Sequence, residues 1–280
     1  MLKYRGADAV WLDAAKDIFD PPRGVPLPWW PKFTSYTGGL LPNQSTLVCA
    51  PTGAGKTQFM ACISAQLLQQ GVPHFVAPVE TGDRDFMARV ASALVKYDMN
   101  CGERVSQKAI QDASDILGKY MSKAPMNIGT YDNRVAIEEM ITMLKYQHQS
   151  YGIRVAILDN LNFFLNVVSS QMEKAEMDSA IHEIVMLAKK LPLHILLIVH
   201  PRKTDGGRVL SEFDIKGSST AVQEASNVLL FNRPSIEDVD DGKRHITDRE
   251  LVFRKLRKRG FNVGKPIWFA YNNGHLEEIE

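Results

Sequence analysis

Residues Ala50 to Thr57 read A-P-T-G-A-G-K-T, a run whose types and spacing suit phosphate chemistry. Gly53 and Gly55 let the backbone curl so that several amide N–H groups aim inward. The run lies between an apolar stretch and a helically periodic one, so a helix N-terminus adds its own donors. Lys56 would neutralise the outer phosphates of a nucleoside triphosphate, and the Thr57 hydroxyl would ligate a Mg²⁺ ion that keeps most of its waters. The expected nucleotide contacts are Ala50, Pro51, Thr52, Gly53, Ala54, Gly55, Lys56, Thr57 and Gln58. Ala50 stands where the common pattern has its first glycine, and an ordinary glycine-rich turn is the plain alternative.

Three polar residues close apolar runs downstream. Asp159 ends Val155–Asp159, Glu80 follows His74–Val79, and His200 follows Ile195–Val199. Parallel strands place their C-terminal ends along one crevice, so all three are expected beside the phosphate loop. Asp159 would hold a water of the magnesium ion. Glu80 would act as general base toward the attacking water, with a solvent-facing glutamate ahead of the Asp83 helix as the alternative. The His200 imidazole would hydrogen-bond the γ-phosphate and report its loss. His74, His148, His182, His194, His245 and His275 lack such placement and read as surface or strand-end residues.

The elements that must carry these residues alternate. Strands are expected at Ser45–Ala50, His74–Val79, Val155–Asp159 and Ile195–Val199. Helices are expected at Thr57–Gln70, Asp83–Tyr97, Val135–Tyr146 and Ser179–Lys190, with a polar segment between the second and third. Val228–Phe231, Leu251–Leu256 and Ile267–Tyr271 read as strands joined by turns, so a mostly parallel sheet flanked by helices should end in antiparallel edge strands. Ahead of all this, Gly6–Phe19 has an amphipathic helical pattern, and the Pro-rich stretch Asp20–Pro31 cannot continue it. We therefore expect a helix and linker over 1–31 and one α/β domain over 32–280.

Composition bounds the possibilities. With 280 residues, 45% of them hydrophobic, the chain can bury a large core. Its 33 basic and 32 acidic residues leave a net charge of +1, so attraction to nucleic acid must be local, and Arg254 to Arg259 is the only basic cluster. Cys49, Cys62 and Cys101 have neither disulfide-framework nor zinc-site spacing, which suits a reducing cytoplasm. No apolar run is long enough to span a bilayer and no signal-peptide pattern opens the chain, so no membrane partner is expected.

The order of the motifs is itself specific. T-G-G-L-L-P at Thr37–Pro42, the phosphate loop, P-V-E-T at Pro78–Thr81, I-L-D-N-L at Ile157–Leu161, V-H-P-R-K at Val199–Lys203, D-I-K-G-S-S at Asp214–Ser219 and Q-E-A-S-N at Gln223–Asn227 follow one another as in the DnaB-type hexameric helicases. Over about residues 33 to 272 the chain resembles that superfamily, nearest to phage primase-helicases and the mitochondrial helicase Twinkle. The resemblance implies a RecA-like P-loop core assembled as a homo-hexameric ring, with ATP between subunits and single-stranded DNA in the channel. It implies ATP-driven unwinding of forked DNA during replication in a bacterial or phage-infected cell. ATP is the implied substrate, with other NTPs or dNTPs open, and a separate primase, polymerase or loader are the implied partners.

By position, the resemblance makes Lys216, Gly217 and Ser218 the DNA-backbone contact, with Arg202 and Lys203 on a neighbouring loop; a solvated lysine is the alternative for Lys216. It makes an arginine of a late strand a finger onto the neighbouring subunit's γ-phosphate. Lys255–Arg257 preserves the residue types and Arg257–Arg259 the distance to Gly264, so Lys255, Arg257 and Arg259 all stand open, beside a plain basic strand edge. Arg233 and Tyr271 fall where residues flank the nucleotide base, and the N-terminal helix falls where a linker helix packs on the next subunit. No zinc-binding or primase module precedes the motor, so priming is not expected of this chain. A RecA/RadA-like recombination ATPase, sharing Lys56, Glu80 and Asp159, and a non-unwinding ATPase scaffold or loader are the competing readings.

Overall fold

The computed structural model describes residues 4–100, 105–131, 136–160, 170–201, 210–211, 214–215 and 219–280. A nine-stranded sheet organises them. In chain order the elements are α1 (Ala7–Phe19), α2 (Pro31–Thr37), β1 (Gln44–Cys49), α3 (Lys56–Gln69), β2 (His74–Pro78), α4 (Asp83–Val95), α5 (Gln107–Met121), β3 (Met126–Ile128), α6 (Ile137–Tyr151), β4 (Val155–Asp159), α7 (Ser170–Lys190), β5 (His194–Val199), α8 (Ser219–Glu224), β6 (Asn227–Asn232), α9 (Ile236–Asp240), β7 (Arg249–Leu256), β8 (Pro266–Asn272) and β9 (His275–Ile279).

The strand order is β3-β2-β4-β5-β1-β6-β7-β8-β9. The first six pair in parallel, and β6 to β9 pair antiparallel, as the run of short turns near the C-terminus requires. The fold is thus a RecA-like α/β sheet with antiparallel C-terminal strands. Both faces are covered, which explains why Val155–Leu158 of β4 and Ile195–Val199 of β5 are continuous apolar runs rather than alternating. Val48, Ile157, Leu196 and Ile198 face the side packed by α3 and α4, while Leu47, Ala156, Leu158 and Leu197 face α6 and α7.

Three expectations need revision. The Pro-rich stretch is packed against the domain from Val25 onward. Val25 and Leu40 exchange backbone bonds of 3.0 and 2.8 Å, and Leu27 and Trp30 have no exposed surface. The Trp30 ring stacks on Phe59 with centroids 5.0 Å apart, and its indole N–H donates to Leu276 O at 2.9 Å. Proline fixes the backbone without excluding it from a core, and burying a side chain such as Leu27 contributes about 2 kcal/mol. The polar segment after α4 contains α5 and β3. Among polar neighbours only Ala113 of α5 is fully buried, with Leu117 and Tyr120 leaning on the core, too thin a stripe to read from the sequence. The edge strand β9 also went unread. Conversely α1 forms as the periodicity implies yet buries none of its residues, leaving Trp11 63% and Phe19 92% exposed.

Candidate functional site

The parallel register brings the C-terminal ends of β1, β2, β4 and β5 to one edge: Cys49 is level with Val199, and Pro78 with Asp159. The loop after β1 turns at Gly53 (φ 73°) and Gly55 (φ 92°), the left-handed region where a side chain costs strain, and Gly55 caps α3 at its N-terminus. Lys56 therefore begins the helix with its ammonium at the sheet edge, and its side chain is 6% exposed.

There Lys56 bridges two residues that follow other strands, Glu80 after β2 and His200 after β5. Its Nζ lies 3.4 Å from Glu80 Oε2 and 3.0 Å from His200 Nδ1. The Asn160 amide donates to the same Glu80 oxygen at 2.9 Å and stands 2.7 Å from His200 Nε2, with Glu80 Oε2 3.3 Å from that nitrogen. Partial burial alone would raise the Glu80 carboxyl; the Asn160 amide, the Lys56 ammonium and the His200 ring outweigh it and hold the group below its ordinary value. The Thr57 hydroxyl lies 3.1 Å from that of Thr81.

Asp159 is the outlier. It is completely buried, and neither carboxylate oxygen has a hydrogen-bond partner. Burial, and after it the Glu80 charge, push its carboxyl up to about 7 against the pull of Lys56. A buried carboxylate without donors is what a hydrated divalent cation would satisfy. No cluster of three or more His, Cys, Asp or Glu that could hold a metal by itself occurs among the described residues. A sparse oxygen set of Thr57 and Asp159, completed by phosphate and water, fits Mg²⁺ rather than a protein-only cage.

The other expected residues are distributed as follows. Within the phosphate loop, Thr52 and Gly53 are exposed, Pro51 and Gly55 partly so, and Ala50 and Ala54 are buried. Gln58 faces away from it, giving its amide N–H to Gly274 O at 2.5 Å and accepting from Arg89 at 3.3 Å. Arg233, directly after β6, donates to Gly53 O at 2.7 Å. Tyr271 lies at the same end of the sheet with its hydroxyl 2.5 Å from Asp98 Oδ2; burial, and then that contact, raise its phenol. Lys255 donates to the carbonyls of Val222, at 3.1 Å, and Gln223, so its ammonium is held at the C-terminal end of α8. Arg257 is exposed, and Arg259 donates to Ser35 O at 2.6 Å. Leu256 pairs with Asn227 at the foot of β6, whereas the phosphate loop lies beyond its top. A strand of that length spans about 20 Å, so Arg257 and Arg259 stand at the end of the sheet remote from their own loop. Arg202, Lys203, Lys216, Gly217 and Ser218, the expected DNA contacts, lie outside the described residues.

Sequence reasoning overlooked Asn160, Thr81 and Arg249. Asn160 and Thr81 adjoin residues already singled out and could have been read as extensions of the strand-end motifs. Arg249 carries no local signal: its Nε donates to Ala54 O at 2.5 Å across 195 residues of sequence.

A sequence model of the DnaB-like helicase C terminal domain matches residues 29–269. A solved structure described as an ATPase domain superposes with a TM-score of 0.77 at 14% identity, covering 99% of this chain and 100% of that one. A DnaB-like replicative helicase, described with its interactions with primase, gives a TM-score of 0.76 at 14% identity over 99% of this chain and 68% of that one. A KaiC-like protein from the archaeon Pyrococcus horikoshii gives 0.64 at 16% identity over 93% of this chain and 100% of that one. At such identities the structural likeness speaks for the fold.

Proposed function

The chain belongs to the DnaB-like helicase C-terminal domain family, and from that premise we propose that it is an ATP-hydrolysing motor that translocates on single-stranded DNA and unwinds duplex during replication. The observation that carries this reading is the cluster of Lys56, Glu80, Asn160 and His200 at the edge of the phosphate loop, beside the unpartnered Asp159.

The roles follow from the chemistry. The loop amides and Lys56 would hold the β- and γ-phosphates, drawing the ammonium away from Glu80 and His200. Glu80, released from that ion pair, would take the proton of the attacking water, while Asn160 keeps the carboxylate oriented. His200 would hydrogen-bond the γ-phosphate, so that its departure is felt at the start of the loop after β5. Thr57 and Asp159 would hold Mg²⁺, which when bound neutralises charge building on the phosphate oxygens. Because Arg257 and Arg259 stand far from their own loop, either could serve as a finger only toward a second subunit's nucleotide. That supports a closed homo-oligomer, a hexameric ring in our reading, with α1 offering its exposed apolar residues to the neighbour. Arg202, Lys203, Lys216, Gly217 and Ser218 would contact the strand in the channel, with Arg233 and Tyr271 near the base. No helix among the described residues is long and apolar enough to cross a membrane. We place the protein in the cytoplasm of a bacterial or phage-infected cell, working with a primase, polymerase or loader.

The test compares ATP turnover with and without single-stranded DNA, and unwinding of a forked duplex, for wild type and Lys216→Ala. We expect DNA to stimulate turnover, duplex to be unwound, and both to fall on substitution, by about tenfold for loss of one backbone contact in each subunit. An ATPase indifferent to DNA that unwinds nothing would remove the helicase reading.

A further inference from the structure

The end of the sheet beside the phosphate loop carries two guanidinium groups, and they hold successive peptide carbonyls. Arg233 donates to Gly53 O at 2.7 Å and Arg249 to Ala54 O at 2.5 Å. The two residues sit at facing strand ends, Arg233 just after β6 and Arg249 at the start of β7, so the antiparallel pairing sets them side by side. Arg249 is itself fixed: its Nη1 donates to Asp248 O at 2.6 Å and Ile246 O at 3.1 Å. It is the one Arg of the pair that is part-buried; Arg233 is exposed.

We infer that Arg249 is a positioning residue for phosphate binding. A trans peptide is planar, with its C=O and N–H on opposite sides. Pinning the Ala54 carbonyl toward β7 therefore turns the Gly55 N–H to the opposite side of the loop, where an anion nest needs its donors. Gly55 has no side chain to settle that peptide's orientation, and its φ of 92° is one that glycine reaches without strain. A planar fork can hold three carbonyls at once, whereas an ammonium on a flexible stem cannot keep all three in that geometry. The two adjacent cations also oppose one another, and the charge they concentrate at the loop favours a polyphosphate. Arg249 touches the loop's backbone and not the reacting atoms, so it acts on binding ahead of the chemical step.

The inference rests on the loop being a phosphate cradle, and the experiment separates the two. Competition against a fluorescent ADP analogue is measured with ADP and with AMP, which lacks the β-phosphate, for wild type, Arg249→Ala and Arg249→Lys, each with its melting temperature. We expect Arg249→Ala to weaken ADP by about tenfold, the worth of one charge-assisted bond, and AMP little, with Arg249→Lys recovering part of the loss. The KM for ATP should rise more than kcat falls. Equal losses for ADP and AMP, or a lowered melting temperature with ADP affinity unchanged, would reduce Arg249 to a pin of the hairpin and overturn the inference. If Arg249→Ala does not fold, the ADP-to-AMP ratio of Arg249→Lys against wild type decides alone. A wild-type protein that binds no ADP would sink the cradle reading itself.

Discussion

Lys56 spans two residues that follow strands β2 and β5, and this explains how a buried ammonium is tolerated at the sheet edge. Its charge is met by Glu80 at 3.4 Å and its donors by His200 at 3.0 Å. Lys56→Ala removes the cation without leaving Glu80 bare, because the Asn160 amide still donates to it. We therefore expect turnover to fall by about 10² or more, the usual result of deleting a charge that steadies a transition state, while the protein still folds. Steady-state hydrolysis and circular dichroism check this together; undiminished turnover would take Lys56 out of the chemistry. Glu80 illustrates a different point. Its oxygen is shared by a lysine, an amide and an imidazole, so its orientation is set before any nucleotide arrives.

At the scale of elements, the two histidines that open β2 and β5 serve folding. The His74 Nδ1 faces Val72 O at 2.9 Å, and the His194 Nδ1 faces Leu41 O at 2.8 Å. A carbonyl only accepts, so Nδ1 carries the proton in each ring. Nε2 is then left to accept from the Ser64 hydroxyl at 2.6 Å and from Thr46 at 3.0 Å. Complete burial lowers each ring from 6.5 to about 4. Between those values the unfolded chain binds more protons than the folded one, so stability is complete above about 6.5 and is lost as pH falls toward 4. The loss is up to about 3 kcal/mol per ring. Urea midpoints should drop between pH 7 and pH 4.5, and His194→Gln should flatten that slope whatever it does to the absolute value. An unchanged slope would mean the ring titrates normally.

Element boundaries also show where periodicity stops informing. The helix α3 was legible because Phe59, Met60, Ile63, Leu67 and Leu68 form a dense stripe and Gly71 ends it. The stretch Val25–Trp30 was not, because prolines mask a segment whose burial depends on Leu276 and Phe59, distant in sequence.

For the whole molecule, the decisive geometry is that one sheet carries its two groups of expected site residues at opposite ends. The phosphate loop, Glu80, Asp159 and His200 share one; Lys255, Arg257 and Arg259 share the other. If a finger from the remote end completes a neighbour's site, two defective proteins should repair each other. Lys56→Ala and Arg259→Ala, each inactive alone, should on mixing recover about a quarter of wild-type turnover, the fraction of interfaces that random assembly makes intact. Absence of recovery after exchange of subunits is confirmed by size would argue against a finger in trans.

The amino-acid sequence by itself determined the glycine turn ahead of α3, the parallel core and the polar residues at strand ends. Each of these is written in a few neighbouring residues: two glycines before a lysine, an apolar run long enough for a strand buried on both faces, a carboxylate or imidazole at its end. Tertiary structure alone decided which of those ends meet, that Asn160 joins Glu80 to His200, that Lys255 is held by α8, and that Arg249 reaches back to Ala54. Those contacts join residues far apart in the chain. They depend on strand order and register, which local pattern leaves open until burial of both sheet faces selects one arrangement.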